Sequence, residues 1–323
     1  MTATTVVGDL KREAKQLSAV LQLAERRLGH PLLVYYSHSF PPRPLDVNDA
    51  LALDRYFLTS RKIEKLGVIV IGEGGPIHAA RRIAILLKKF SKRLFFYVPY
   101  RARSATGLIC LSGTELILDN IGEIGPIDGL CSINSGGNGV EPFRIGVEDL
   151  RAYKQAVREW FGSMGREKLL RPIVDAIHPA SIGAIFRADK YAEEIGCELI
   201  KEHLPQANGT ECKRIVRILM RRSPEHQHPF FVDDLTGIGL NARLGNTIEK
   251  SMMRDIYTKS FELATKTQRV AGGHGASLVG IICTKNFVGV SRQGETIVSD
   301  ELWQEQKGEG VLPGRWKKIL ANA

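Results

Sequence analysis

The sequence is poor in the features that mark secreted, metal-bound or membrane-spanning proteins. Its five cysteines are scattered over 323 residues without a Cys-x-x-Cys pair, and none has a histidine at zinc-ligand spacing. We therefore expect reduced structural thiols, with no metal and no other cofactor. No apolar run approaches the ~20 residues of a membrane-spanning helix, and the first residues lack the basic and apolar regions of a secretory signal. These absences predict a cytoplasmic chain without a membrane span.

Aromatic residues are also scarce, at 7% of the chain, and no run interleaves them with lysine or arginine. The formal net charge is nevertheless +10, a balance that also occurs in nucleic-acid-binding proteins. The basic residues are spread over predicted helices such as 79–93 and 214–223, and no nucleic-acid-binding motif accompanies them. We interpret the charge as that of solvated helix faces, which argues against a nucleic-acid partner.

What the sequence does contain is an alternation of apolar strands and amphipathic helices. The continuous run LGVIVIG at 66–72 is typical of a strand that is buried on both faces of a largely parallel sheet. Other apolar strands alternate with helices along the chain and are joined to them by short connections, which predicts an α/β fold. From 147 to about 222 helices predominate, and the pattern at 278–291 predicts a β-hairpin.

Ser104 follows a polar, turn-like stretch and precedes an apolar helical one. Serine is common at helix N-caps, where its oxygen accepts a backbone N–H bond worth ~1 kcal/mol. The strand at 66–72 ends in Gly74-Gly75 before another predicted helix. Because the carboxyl ends of neighbouring parallel strands meet at one edge, Ser104 Oγ could share a cleft with the N–H groups of Gly75 and Ala105. Acyl transfer requires this combination of a hydroxyl and two donors.

These segments resemble the serine dehydrogenase proteinase family, which is related to Clp-type proteases and signal peptide peptidase A. The resemblance is carried mainly by GVIVIGEGGPIHAARRIA at 67–84 and by the stretch 95–129, and it covers about residues 25–245. It implies a ClpP/crotonase-type spiral of β-β-α units with helical additions, a peptide or protein substrate, and a homo-oligomer. We accordingly expect an N-terminal amphipathic helix at 1–24, a ClpP/crotonase-like core at 25–245, and a C-terminal extension with a helix and a β-hairpin at 246–323.

Carried over residue by residue, the resemblance implies that Ser104 is the nucleophile of a serine peptidase and that Gly75 and Ala105 donate to its oxyanion. Two charged residues depart from the family pattern. Glu73 stands where a Thr-Pro-Gly-Gly sequence is usual, and Arg103 replaces an apolar residue before the serine. A carboxylate at this position opposes a developing oxyanion unless Arg103 or another cation neutralises it.

The sequence leaves the identity of the general base open. The histidine of Clp-type proteases has no counterpart in the segment GPIDG at 125–129. Signal peptide peptidase A uses a lysine from a later helix, and Lys154 has a comparable spacing; a lysine can serve as the base where burial lowers its pKa. His226 matches the histidine of the family's closing His-x-x-Pro motif, and His228 lies beside it; either could accept a proton or hold a turn.

Two other functions compete with a peptidase. A catalytically degenerate scaffold or interaction subunit of the same fold is favoured by the missing histidine and by Glu73 and Arg103. A crotonase-like acyl-CoA enzyme would use the same two-donor oxyanion hole. That enzyme would need a CoA-sized pocket with basic residues beside Gly75.

Overall fold

The computed structural model of the chain describes residues 3–37, 43–57, 62–127, 129, 131–133, 143–162, 167–168, 171–173, 177–221, 228–270, 278–285, 287–293 and 316–321. The helices are α1 (Ala3–Leu28), α2 (Val47–Phe57), α3 (Ile77–Phe90), α4 (Ala105–Cys110), α5 (Val147–Phe161), α6 (Pro179–His203), α7 (Gly209–Arg221), α8 (Val232–Gly237) and α9 (Thr247–Val270). The strands are β1 (Leu32–Ser37), β2 (Ile63–Ile71), β3 (Ser91–Val98), β4 (Arg101–Ala102), β5 (Glu115–Leu118), β6 (Glu123–Ile124), β7 (Cys131–Ile133), β8 (Phe143–Ile145), β9 (Ala242–Leu244), β10 (Leu278–Thr284), β11 (Phe287–Gln293) and β12 (Trp316–Ala321).

Eight of these strands form one mixed sheet in the order β12-β11-β10-β1-β2-β3-β5-β9. Strands β1, β2, β3, β5 and β9 run parallel to their neighbours in this order, whereas β10, β11 and β12 are antiparallel. The predicted α/β class with a mostly parallel central sheet is therefore confirmed. Strands β2 and β3 are direct neighbours, with Val68 opposite Phe96.

The apolar run of β2 is explained by helices on both faces of the sheet. Leu66, Val68 and Val70 contribute to one core with buried residues of α2, α3, α4, α6 and α7. Ile69 and Ile71 point to the other core, which α1 and α9 cover. Because side chains alternate along a strand, a two-sided core requires an apolar residue at almost every position.

The predicted C-terminal hairpin is present as β10 and β11, which pair antiparallel from Leu278↔Gln293 to Thr284↔Phe287. Strand β10 also pairs with β1, with Tyr36 opposite Ile281, so the hairpin extends the same sheet that contains β2. Helices α1 and α9, from the two predicted additions, share one buried core. The limits proposed for the three domains remain predictions.

The remaining differences from the predicted elements are local. The edge strand β9 and the two-residue strands β4 and β6 are too short to leave an apolar pattern in the sequence. Within the helix-rich region predicted from 147 to about 222, much of the segment 163–176 lies outside the described residues. Within the described residues, no helix is both long and apolar enough to cross a membrane.

Candidate active site

Backbone hydrogen bonds join the turn after β2 directly to the turn after β3. Gly72 N–H donates to the Arg101 carbonyl at 3.0 Å, and Arg103 N–H donates to the Gly72 carbonyl at 2.9 Å. The chain then carries Gly74 against Ser104, because a Cβ added to Gly74 would lie 2.6 Å from Ser104 Cβ and 3.0 Å from its Oγ. The structure thus brings the glycine pair and the serine together at one edge of the sheet.

Ser104 has an unusual backbone conformation. Its φ of 48° makes it the one non-glycine residue with positive φ among those described, and its ψ is −127°. It occupies the N-cap position of α4, yet its side chain makes no capping hydrogen bond, and N-cap residues ordinarily adopt the β region. In the described part of the chain its hydroxyl has no hydrogen-bond partner, although the residue is half-buried. Ser104 therefore does not act as a side-chain cap, and it holds a conformation that costs ~1–3 kcal/mol.

Two backbone donors flank this serine. The N–H groups of Gly75 and Ala105 have no acceptor among the described residues. The next two amides of the turn are satisfied, since Thr106 N–H and Gly107 N–H both donate to the Arg103 carbonyl. At the junction of the two turns, a hydroxyl and two N–H groups thus have no hydrogen-bond partner among the described residues.

The charge of Glu73 is balanced mainly by Arg101 rather than by Arg103. Arg101 Nε lies 2.7 Å from Glu73 Oε1, in an ion pair that is not aligned as a hydrogen bond. The Arg103 guanidinium is 3.8 Å from Glu73 Oε2 and donates instead to Glu123 Oε1 at 2.7–2.8 Å. Two carboxylates and two guanidiniums therefore form a neutral quartet beside the serine turn.

Tyrosines cover the Arg101 side of this quartet. The Arg101 guanidinium lies over the Tyr100 ring at 4.6 Å, and the Tyr257 ring from α9 lies 5.7 Å from that of Tyr100 and 6.4 Å from that of Tyr36. Burial is the main cause that raises the pKa of both Tyr36 and Tyr257 above the ordinary value. These phenols are protonated at neutral pH, so neither is suited to be a general base.

Of the two predicted bases, only Lys154 lies among the residues that the structure describes. Lys154 lies on α5 with its side chain exposed, whereas helix α5 packs its apolar side against Ile177 and Ile185. A base lysine needs burial to lose its proton near neutrality. His226 lies outside the described residues.

His228 lies on a segment that reaches the same edge. Phe230 and Ile124 exchange backbone hydrogen bonds of 2.8 and 3.1 Å, and Ile124 in turn pairs with Ala102 of β4. The half-buried His228 ring stands edge-on to the Phe230 ring at 5.1 Å. The chain that carries His228 is thus one strand removed from the strand that leads to Ser104.

The segment before α2 also borders the glycine turn, and the sequence analysis does not single it out. Leu45 N–H donates to the Gly74 carbonyl at 2.8 Å. The Arg43 guanidinium and the Asp49 carboxylate, 1% and 0% exposed, form a two-point ion pair, and Tyr35 OH donates to the same carboxylate at 2.6 Å. An arginine between prolines resembles any solvated cation in the sequence, because arginine is rarely buried.

No protein-family model matches this chain, and no curated protein matches it. Among solved structures, the chain is similar to a mutant of a membrane-bound stomatin-specific protease, with 12% sequence identity and a TM-score of 0.39. The similarity covers 70% of this chain and 80% of that chain.

Proposed function

We propose that the chain is a serine peptidase-like hydrolase with a ClpP/crotonase-type core and Ser104 as its nucleophile. One observation carries the proposal: Ser104 is held at a φ of 48° without a capping bond, beside the N–H groups of Gly75 and Ala105, which have no acceptor within the described part of the chain. Strained turns of this kind display the nucleophilic serine of α/β-hydrolases. A helix cap would require neither the strain nor the free hydroxyl.

The geometry supports an acyl-transfer mechanism. Ser104 Oγ attacks the carbonyl carbon of a peptide bond while a general base takes the hydroxyl proton. The oxygen of the tetrahedral intermediate accepts hydrogen bonds from Gly75 N–H and Ala105 N–H; the loss of one such donor typically lowers kcat by ~10²–10³. The C–N bond then breaks, the base returns the proton to the amine, and water hydrolyses the acyl-enzyme by the same route.

The pairing of Glu73 supports this proposal. A free carboxylate beside the two donors would raise the energy of the oxyanion. Its oxygen instead lies 2.7 Å from Arg101 Nε, and the side chains of Glu73 and Arg101 are only 18% and 10% exposed. A largely buried cation at this distance offsets the charge of the carboxylate more effectively than solvent screening would.

For the general base we retain His226 and Lys154, and the structure adds support for His228, whose segment runs beside β6. Base and nucleophile act as a unit, so the loss of the true base lowers turnover about as much as the loss of Ser104 does. Turnover by alanine variants of the three residues should therefore identify which one is the general base. One variant should match Ser104→Ala in turnover and the other two should resemble the wild type.

The experiment that tests the proposal is labelling by a fluorophosphonate probe followed by mass spectrometry. The wild type should take up one phosphonyl group at Ser104, and Ser104→Ala should take up none. Ser181→Ala is a matched control, since Ser181 is also a half-buried serine near the start of a helix. Equal labelling of wild type and Ser104→Ala, or an unlabelled folded wild type, would contradict the proposal.

A catalytically degenerate scaffold is the second candidate, and the exposure of Lys154 favours it. A wild type that folds, assembles and stays unlabelled would support this alternative. An acyl-CoA enzyme receives less support, because the guanidiniums nearest the serine, those of Arg101 and Arg103, are paired with Glu73 and Glu123. Phosphate binding by either arginine would require one of these ion pairs to open.

We also propose that the chain forms a homo-oligomer, as the resemblance implies. The surfaces of α1 and of the β10–β11 hairpin are additions to the expected core and are the ones most able to contribute contacts. Sedimentation velocity at micromolar concentration should show a species larger than the monomer. A stable monomer under these conditions would refute the proposal.

A further inference from the structure

Gly74, rather than Gly75, is the residue that is held in place at the serine turn. Its N–H donates to Thr106 Oγ1 at 3.1 Å, and its carbonyl accepts from Leu45 N–H at 2.8 Å. Gly74 is buried, with a φ of +103° that disfavours residues other than glycine. The N–H and the C=O of Gly74 are thus both hydrogen-bonded. The partner of the carbonyl, Leu45, precedes Gly74 in the chain, and the partner of the N–H, Thr106, follows it.

The bond to Leu45 determines the direction of the neighbouring N–H. In a trans peptide the C=O and the following N–H lie in one plane and point in opposite directions. Because Leu45 N–H holds the Gly74 carbonyl, Gly75 N–H is turned away from Leu45. That side is also filled, since a Cβ on Gly75 would lie 2.7 Å from the Leu45 carbonyl oxygen.

The bond to Thr106 holds the preceding peptide, Glu73–Gly74, against the turn that carries the nucleophile. Thr106 lies two residues after Ser104 in the first turn of α4, and its side chain is fully buried. Without its hydroxyl, Gly74 N–H would be a buried donor that lacks an acceptor, a loss that is relieved when the backbone rotates. A glycine has little resistance to such a rotation, and rotation of Gly74 redirects the Gly75 N–H.

We infer that Thr106 is a positioning residue for the proposed acyl transfer. Its hydroxyl holds the Glu73–Gly74 peptide while Leu45 N–H holds the Gly74–Gly75 peptide, and the two bonds together fix the Gly74 backbone so that Gly75 N–H serves the oxyanion. The inference rests on the proposed function for its catalytic consequence. Its structural part, the fixing of the Gly74 backbone by the Thr106 hydroxyl, stands independently.

A matched pair of variants tests the role of the hydroxyl. Thr106→Val keeps the shape and removes the acceptor, whereas Thr106→Ser keeps the hydroxyl and removes a methyl group. In fluorophosphonate labelling of the full chain, Thr106→Val should lower the limiting rate ~10–100-fold, less than the loss of a donor itself, with the half-saturating probe concentration unchanged. Thr106→Ser should restore most of the rate. Equal rates for Thr106→Val and the wild type, or equal losses in both variants, would overturn the inference.

Crystal structures of the wild type and both variants give a second readout that does not depend on activity. The Gly74–Gly75 peptide should change orientation in Thr106→Val and keep it in Thr106→Ser. If Thr106→Val does not fold, Thr106→Cys, with its weaker acceptor, should label at a rate between those of Thr106→Ser and Ser104→Ala; a rate equal to that of Thr106→Ser would overturn the inference. A wild type that resists labelling would refute the proposed function, while the peptide orientation in Thr106→Val still decides the positioning role.

Discussion

Ser104 and His203 are two polar residues near opposite ends of the central strands, and they differ in whether their side chains are hydrogen-bonded. His203 is buried at the end of α6, where Nδ1–H donates to the Gly113 carbonyl at 2.5 Å and Nε2 accepts from Asn241 N–H at 2.9 Å. Both ring nitrogens are therefore satisfied. Ser104 has a strained backbone, and its hydroxyl has no partner in the described part of the chain.

The contrast separates a residue that stabilises the fold from one that is kept available for a ligand. A fully paired buried group contributes to stability and is costly to remove. A strained group with a free hydroxyl contributes no such bond, and its conformation persists only because the surrounding structure imposes it. Substitutions at the two positions should consequently affect different properties of the protein.

The largest expected effect is the loss of turnover in Ser104→Ala. We expect at least a ~1,000-fold decrease in peptide hydrolysis, because the nucleophile is removed. The sequence interpretation as a helix cap predicts a stability loss of ~1 kcal/mol, but the absent capping bond removes that loss. The free energy of unfolding in urea should therefore stay within about 0.5 kcal/mol of the wild type. A clear destabilisation with unchanged turnover would restore the cap interpretation.

The next largest effect is the destabilisation caused by His203→Ala. The substitution leaves the buried Gly113 carbonyl and the part-buried Asn241 N–H without their partner, which should cost about 2–4 kcal/mol of unfolding free energy. His203→Gln is the matched control, since its amide can both donate and accept and should recover part of the loss. Urea unfolding measures both variants. Equal destabilisation by alanine and glutamine would show that ring packing, not hydrogen bonding, dominates.

Relief of strain at Ser104 should produce a smaller effect of opposite sign. Ser104→Gly places at a φ of 48° a residue that tolerates positive φ. We expect the variant to be more stable than Ser104→Ala by about 1 kcal/mol, because alanine retains the steric cost of this conformation. Thermal unfolding of the two inactive variants gives the comparison. A glycine variant that is no more stable than the alanine variant would show that the backbone at Ser104 is not strained.

The pH dependence of stability should give the smallest effect. Burial lowers the pKa of His203 below 6.5, with the nearby Lys88 acting in the same direction and the Gly113 carbonyl bond opposing them. The unfolded state therefore binds the proton more readily than the folded state. The neutral His203 contributes its full stability above pH 6.5, and this contribution is lost as the pH falls below that value.

Urea unfolding of the wild type and His203→Gln between pH 7 and 5 isolates the His203 contribution, within about one to two units of the ordinary histidine pKa. The difference in unfolding free energy between the two proteins should shrink as the pH falls. A constant difference would mean that His203 binds protons equally in the folded and unfolded states, so that burial does not lower its pKa.

The sequence predicts the parts of the site that depend on local pattern. The run at 66–72 requires a two-sided sheet, and the end of each strand places a glycine pair and a serine in turns before helices. Parallel pairing then brings Gly74 and Ser104 to one edge, as observed. The proximity of this glycine and this serine can be predicted from the sequence because both residues lie next to the strands that position them.

The ion-pair and hydrogen-bond partners at this site cannot be predicted from the sequence in the same way. Arg101 rather than Arg103 is the closer cation to Glu73, and Leu45 and Thr106 hold Gly74 from segments that are 29 and 32 residues away. Such choices depend on how closely groups from distant parts of the chain approach one another, as with the distances of 2.7 and 3.8 Å from Glu73 to Arg101 and Arg103. No propensity or spacing rule describes them.

The sequence by itself determined the α/β class, the order of the main strands and helices, and the presence of a serine turn beside a glycine turn, because each follows from periodicity and from the geometry of parallel strands. Only the tertiary structure decided that Ser104 is strained and makes no capping bond, that Lys154 is exposed, and that Gly74 is bound on both sides. Backbone strain, burial and hydrogen-bond pairing are properties of packed neighbours that lie far apart in the chain. They are set only when the whole sheet and its helices are assembled.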